Sequence, residues 1–324
     1  MSDILVTENI IGTAMDELRQ QFELVFAPDL WQQQDKLIET VPNFRAIIAR
    51  NQTQLTRELM GAATRLEIIG RAGVGMDNVN LEAANDHGIV VALTPEQNTN
   101  SVAELTIGLI IALARKISLA DRDTKAGNWD RRRFMGIEIS GKTLGIIGFG
   151  RIGSATAAKA RALGMNIVAY DPYVDIDCLR ALESRTRLTS LAEVLATADF
   201  ISLHLPENEE TRDLFGAAEF AQMKPSAYFI NAARGGVVQE NALLAALQQP
   251  QIAGAALEVR QIEPPAPSAF DALDNVIQLP HIAAQTHEAQ HRVVTAICRD
   301  VATVLRGGEA KHFANFSKPK RHSG

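Results

Sequence analysis

The sequence predicts an α/β protein with two doubly wound, mostly parallel sheets. Three observations lead there. The 324 residues suit roughly two domains of about 100–200 residues each. Short apolar runs, many of them β-branched, recur between helical patterns, as they do in βα units. A glycine-rich turn lies between one such run and the helix after it, near the middle of the chain.

The first series holds strands expected near residues 4–7, 46–49, 66–69 and 89–93, each bounded by polar residues or Gly. Residues 12–22 and 81–87 read as helices between them. A long helix is expected from Ser101 to about Asp121, with Ser101 as N-cap and Glu104 at the capping-box spacing. Its apolar residues fill most faces, which predicts burial. A basic, polar stretch follows from Lys125 to Arg133. The second series then predicts six strands, at 143–147, 166–170, 200–205, 227–231, 253–257 and 276–279. Helices fit at 152–163, 190–198 and 241–248, completing a doubly wound dinucleotide-binding sheet. Residues 286–306 read as one more helix, and the polar tail 317–324 is expected to be disordered.

Composition narrows the function classes. Apolar residues make up 46% of the chain and charged residues 22%, enough apolar content for two cores. A net charge of -6 weighs against a general nucleic-acid binder. No apolar run approaches the ~18 residues of a membrane span. The first residues lack a signal-peptide pattern. Cys178 and Cys298 have no metal-type spacing, so they are expected to be reduced thiols in a cytoplasmic protein without a metal site.

Gly148-Phe149-Gly150-Arg151-Ile152-Gly153 is a G-x-G-x-x-G turn in the context that makes the motif specific, between a strand and a helix. Gly148 permits the tight turn, Gly150 lets backbone approach a pyrophosphate, and Gly153 lets the helix pack against the strand. Phosphates would sit on unpaired N–H groups at the helix start. Asp171 ends the next strand, 18 residues beyond Gly153. A carboxylate there accepts from ribose hydroxyls and repels an extra phosphate, favouring NAD over NADP.

Three later segments carry polar residues just past predicted strands: Asn231–Gly236, Glu263-Pro264-Pro265 and Pro280–Ala284. Ligands of open α/β sheets bind beyond the carboxyl ends of strands, so Arg234, Glu263 and His281 are expected on one rim. The set suits a 2-oxo acid and its 2-hydroxy counterpart. His281 can give or take the proton at the substrate oxygen, Glu263 favours the imidazolium, and Arg234 can hold a carboxylate and polarise a carbonyl.

On these residues, together with Gly70–Val79 and Asn128–Gly153, the chain resembles the D-isomer-specific 2-hydroxyacid dehydrogenase family, most nearly its phosphoglycerate dehydrogenase branch. The resemblance runs from about residue 4 to 316. It implies Arg234, Glu263 and His281 as the catalytic triad. It implies backbone N–H groups around Val74 and Gly75 on the substrate carboxylate, and NAD contacts at Arg151, Ile152, Asp171, Leu205, Pro206, Ala232, Glu258 and Ala283. It further implies a Rossmann-type NAD domain, residues 99–287, inserted into a flavodoxin-like substrate domain of residues 1–98 and 288–316. Family members are commonly dimers, in which the long helix and the segment near Trp129 reach over the partner.

The chain departs from the family where Glu258-Val259-Arg260 stands for the usual Asp-Val-Phe. A C-terminal regulatory domain of the kind longer phosphoglycerate dehydrogenases carry is not expected. In similar phosphoglycerate dehydrogenases an arginine at the place of Arg50 faces the substrate phosphate. The expected substrate is therefore a small 2-hydroxy acid with a second anionic group, 3-phosphoglycerate first and sulfolactate next. A glyoxylate or hydroxypyruvate reductase is the alternative, and an NAD-sensing corepressor-like binding module is the reading from another class.

Overall fold

A computed structural model describes residues 2–175, 181 and 183–320. Cys178 lies outside the described residues. The chain divides into two compact units, Met1–Asn98 with Thr286–Gly324, and Thr99–Gln285.

The first unit is a five-stranded parallel sheet of β1 (Ile4–Val6), β2 (Leu24–Phe26), β3 (Ala46–Ala49), β4 (Ile68–Arg71) and β5 (Val90–Ala92). Their spatial order is β2-β1-β3-β4-β5, the flavodoxin-like winding. Helices α1 (Thr13–Arg19), α2 (Gln34–Thr40), α3 (Arg57–Ala62) and α4 (Leu81–Asp86) connect them. The side chains of Thr56 and Asn80 accept the Leu59 and Ala83 N–H groups and so cap α3 and α4.

The C-terminal helix (His287–Leu305) returns to this sheet, capped by Thr286. Its Val293, Val294, Ile297, Cys298 and Val301 are buried with Ile4, Val6, Ile48 and Ile68. Gly70 makes the approach possible, because a Cβ there would come within 2.8 Å of Val301. Among the described residues Cys298 is a free thiol, and burial pushes it up to about 12. Of the tail expected to be disordered, residues 317–320 are tied down instead. Ala310 N–H donates to the Ser317 carbonyl at 2.8 Å, and Lys320 N–H to that of Gly88 at 3.0 Å.

The second unit begins with α5 (Thr99–Arg115) and α6 (Ile117–Lys125). The single long helix expected from the pattern is broken at Lys116, which adopts a left-handed φ of 52°. Ser101 is not an N-cap but lies buried within α5. Glu104 pairs with Lys159 at 3.1 Å rather than closing a capping box.

The sheet of this unit comprises β6 (Thr143–Ile147), β7 (Asn166–Tyr170), β8 (Arg187–Leu188), β9 (Phe200–Leu203), β10 (Tyr228–Asn231), β11 (Gly254–Leu257) and β12 (Val276–Gln278). Its order is β12-β11-β10-β9-β6-β7-β8. The winding reverses between β6 and β9, which sets a crevice at their carboxyl ends. Helices α7 (Arg151–Ala162), α8 (Leu191–Thr197), α9 (Ala217–Gln222) and α10 (Glu240–Gln248) pack on its faces. Two strands, β2 and β8, and the short helices α2, α3 and α9 carry too little periodicity to be read from sequence.

Candidate active site

The glycine turn stands at the switch point. Gly148 follows β6 with φ 92°, and its N–H donates to the Tyr170 carbonyl at 2.9 Å. A Cβ on Gly148 would come 2.5 Å from the His204 carbonyl oxygen, and one on Gly153 would overlap the Gly148 carbonyl. Only glycine fits either place. Space beside Gly150 is open, and no side chain caps the α7 N-terminus that begins at Arg151. That combination of open backbone and an uncapped twelve-residue helix fits a dinucleotide pyrophosphate. At the end of β7, Asp171 accepts from Phe149 N–H at 2.7 Å and from Tyr173 N–H at 2.9 Å. Its carboxylate is thereby held beside the turn, with lone pairs left for a ribose.

Ile152 packs against a buried cluster of Val102, Ala232 and Ala283, so three of the expected cofactor residues converge there. Leu205 and Pro206 follow β9. His204, just before them, was missed by sequence reasoning, although a polar residue closing a buried strand beside the glycine turn was a usable signal. Its Nε2 lies 3.0 Å from Ser202 Oγ, its buried Nδ1 has no hydrogen-bond partner among the described residues, and burial pushes the ring down to about 4.

Strand register brings the three polar segments to one rim. Asn231 on β10 pairs with Leu257 on β11, which pairs with Gln278 on β12. The chain beyond each delivers Arg234, Glu258 with Glu263, and His281. Asn231 shapes the first loop by donating from Nδ2 to the Arg234 carbonyl at 3.0 Å and accepting from Ala233 N–H at 3.1 Å. His281 Nδ1 lies 2.7 Å from Glu263 Oε2. The hydrogen bond to Glu263 raises the His281 pKa, against burial and the nearby Arg234 charge. Burial opposes ionisation of Glu263, but bonds from His281 and the Arg260 N–H overcome it and hold the carboxyl below its ordinary value. His281 sits at a left-handed φ of 55°, the kind of strain that local structure must over-determine. One tie is its N–H, which donates to the Glu258 carbonyl at 3.0 Å.

The two departures have structural accounts. Glu258 is buried and accepts from Ala283 N–H at 2.8 Å. Burial raises its pKa, against the pull of His281 and the Ala283 and Ile282 N–H groups. Arg260 is buried in an ion pair with Glu240, Nε to Oε1 at 2.9 Å.

In the first unit, Arg50 follows β3, while Val74 and Gly75 follow the neighbouring β4, so all three share a rim of that sheet. Glu8 folds the Arg50 loop by accepting from Arg50 N–H at 2.8 Å and Thr53 N–H at 3.0 Å. The Arg50 guanidinium bonds Gln290 Oε1, and its buried Nε has no partner among the described residues. Burial lowers the Arg50 pKa, with Glu8 opposing.

A doubly wound sheet with an open glycine turn at its switch point, and a carboxylate–imidazole dyad on the same rim, defines a dinucleotide-binding α/β protein. Residues 107–283 match the model of the D-isomer specific 2-hydroxyacid dehydrogenase NAD binding domain, and the chain belongs to that family. The second unit is thus its NAD-binding domain. Among similar proteins is a D-3-phosphoglycerate dehydrogenase of Archaeoglobus fulgidus, 43% identical over 97% of this chain and 59% of the relative. Another, from Methanocaldococcus jannaschii, is 41% identical over 98% of this chain and 60% of the relative. The chain therefore spans about three fifths of the length of these relatives. A solved structure, the TT0316 protein from Thermus thermophilus, superposes with a TM-score of 0.90 at 32% identity, covering 96% of this chain and 99% of that one. Among the described residues no helix is long and apolar enough to cross a membrane.

Proposed function

We propose that the protein is an NAD-dependent D-2-hydroxyacid dehydrogenase whose substrate carries a second anionic group, as 3-phosphoglycerate and sulfolactate do. The observation that carries this reading is the 2.7 Å bond between His281 Nδ1 and Glu263 Oε2. It commits one ring nitrogen to the carboxylate and leaves Nε2 to exchange a proton with a substrate oxygen. NAD, when bound, supplies the two-electron hydride acceptor. In the oxidation direction neutral His281 takes the hydroxyl proton at Nε2, and Glu263 stabilises the imidazolium that results. In reduction the imidazolium returns that proton to the oxygen. Arg234 pairs with the substrate carboxylate and favours negative charge on the reacting oxygen. The N–H groups of Val74 and Gly75, past the end of β4, are further candidate donors to a substrate carboxylate.

The second anion is supported by Arg50, a half-buried cation whose Nε still lacks an acceptor. A phosphate or sulfonate would take that donor in a charge-assisted bond. The similar D-3-phosphoglycerate dehydrogenases accord with a phosphorylated substrate. The test is Arg50→Ala, assayed with 3-phosphoglycerate and with glyoxylate. Loss of a charged hydrogen bond of about 1.5–3 kcal/mol should raise KM for the phosphorylated acid about 10- to 150-fold and leave glyoxylate reduction unchanged. Unchanged turnover of every dianionic substrate would remove the second-anion reading.

The working form we propose is a cytoplasmic homodimer. Large apolar side chains stand exposed along one stretch, Ile117 at 50%, Trp129 at 76% and Met135 at 77%, as a surface awaiting a second copy does. A sequence with only two cysteines accords with a reducing compartment. Sedimentation of a monomer at micromolar concentration would overturn the dimer.

A further inference from the structure

We propose that Arg260 is a positioning residue for the reaction, its ion pair with Glu240 fixing the turn from which Glu263 reaches His281. The inference rests on the proposed dehydrogenase chemistry. Its evidence is a buried polar knot that the acid–base pair does not itself require.

Arg260 is 8% exposed, and its guanidinium is fully engaged. Nε and Nη2 donate to the two carboxylate oxygens of Glu240, each at 2.9 Å. This parallel, bidentate geometry fixes orientation as well as distance. Nη1 donates to Gln278 Oε1 at 2.7 Å, and the group stacks 4.9 Å from the centre of the Phe270 ring. The side chain therefore anchors to the first residue of α10, to the end of β12 and to the turn Ala269–Ala272 at once. Gln261 N–H adds a 2.9 Å bond to Glu240, so two consecutive residues of the loop are held by one carboxylate.

The Arg260 main chain touches both neighbouring functional loops. Its N–H donates to Glu263 Oε1 at 3.0 Å, the oxygen that His281 does not use. Its carbonyl lies against Gly235, where a Cβ would overlap it; Gly235 directly follows Arg234. Residues 261–264 are exposed bends, which have little packing of their own to hold a carboxylate still. Without the anchor, Glu263 would sample many rotamers and backbone positions, and the imidazole would lose a fixed partner. The charged groups that act most strongly on the His281 ring are Glu263, Glu258 and Arg234. The ion pair reaches the ring through the placement of Glu263, whose Oε1 the Arg260 N–H holds and whose Oε2 meets His281.

The experiment compares Glu240→Gln, Arg260→Met and Arg260→Lys with wild type. The readouts are kcat against pH for reduction of the preferred 2-oxo acid, NADH affinity by fluorescence, and the His281 titration by NMR on 15N-histidine-labelled protein. The first two variants should lose about tenfold or more in kcat, shift the high-pH limb and the His281 titration to lower pH, and bind NADH within twofold of wild type. Arg260→Lys, which keeps one charged bond, should fall between. A folded Glu240→Gln or Arg260→Met protein with wild-type kcat and an unmoved titration would overturn the proposal. If single variants fail to fold, the double variant Glu240→Leu with Arg260→Met removes both charges together and leaves neither unpaired. It should show the same loss and the same shift, and wild-type values in it would equally overturn the proposal. The NMR titration needs no turnover, so a wild-type protein inactive on every 2-oxo acid would sink the dehydrogenase reading and leave this one standing or falling by the titration.

Discussion

Replacing Glu263 by Gln keeps the side-chain shape and removes the charge that faces His281. The bond it alters is 2.7 Å long, between Nδ1 and Oε2. A hydrogen bond to a charged group contributes about 1.5–3 kcal/mol. The two side chains are 41% and 35% exposed, so solvent screening pulls that toward about 1 kcal/mol. The sign follows from the direction of the shift. His281 is raised by Glu263, so wild type keeps the imidazolium that the proposed reduction requires to higher pH than it would without the carboxylate. The Gln variant loses that advantage. Its kcat/KM for 2-oxo acid reduction should fall about fivefold above neutral pH, and by less as the pH is lowered and the imidazolium becomes more populated in both proteins. The high-pH limb of the profile should move to lower pH. Initial rates of NADH consumption from pH 5 to 9 provide the check. A profile that superimposes on wild type, or a limb that moves upward, would refute the dyad as the acid–base unit.

Three further outcomes follow from the same geometry. Gly153→Ala drives a Cβ into the Gly148 carbonyl, so overpacking should lower stability by about 1–3 kcal/mol and weaken NADH binding; an unchanged melting temperature with unchanged NADH affinity would show that the turn tolerates the methyl. Asp171→Ala removes the carboxylate held by the Phe149 and Tyr173 N–H groups, and the preference of kcat/KM for NAD over NADP should drop about tenfold, a repulsion of about 1.4 kcal/mol; a ratio within twofold of wild type counts against its role. His204 stays neutral in the fold down to about 4, whereas the unfolded chain protonates it near 6.5, so the unfolded state binds more protons in that window and stability is lost as pH falls through it, by up to about 3 kcal/mol. His204→Gln should shrink the difference in urea stability between pH 7 and pH 4.5, and an identical loss in both proteins would argue that the ring is not the source.

Much of the architecture was legible because it rests on local pattern. The four early runs and six later ones anticipated strands within a few residues, since a buried parallel strand must be a short apolar run wherever it sits. The elements that escaped were short or lay at edges. Leu24–Phe26 and Arg187–Leu188 are three and two residues long, and the helix Ala217–Gln222 spans less than two full turns. The unbroken helix expected through Lys116 failed because apolar periodicity continues across a residue whose backbone turns left-handed.

By itself the sequence determined where the glycine turn falls, that an acid closes the following strand, and that Arg234, Glu263 and His281 come just past three strands. Those features depend on residue type and short spacing, which the chain carries in one dimension. Only the tertiary structure decided that β10, β11 and β12 lie side by side, so that Glu263 and His281, 18 residues apart, share a proton-sized gap. It alone paired Arg260 with Glu240 across 20 residues and left His204 with a buried unpartnered nitrogen. Which charges meet is set by strand order and register, and a buried charge is tolerated only where that order supplies its partner.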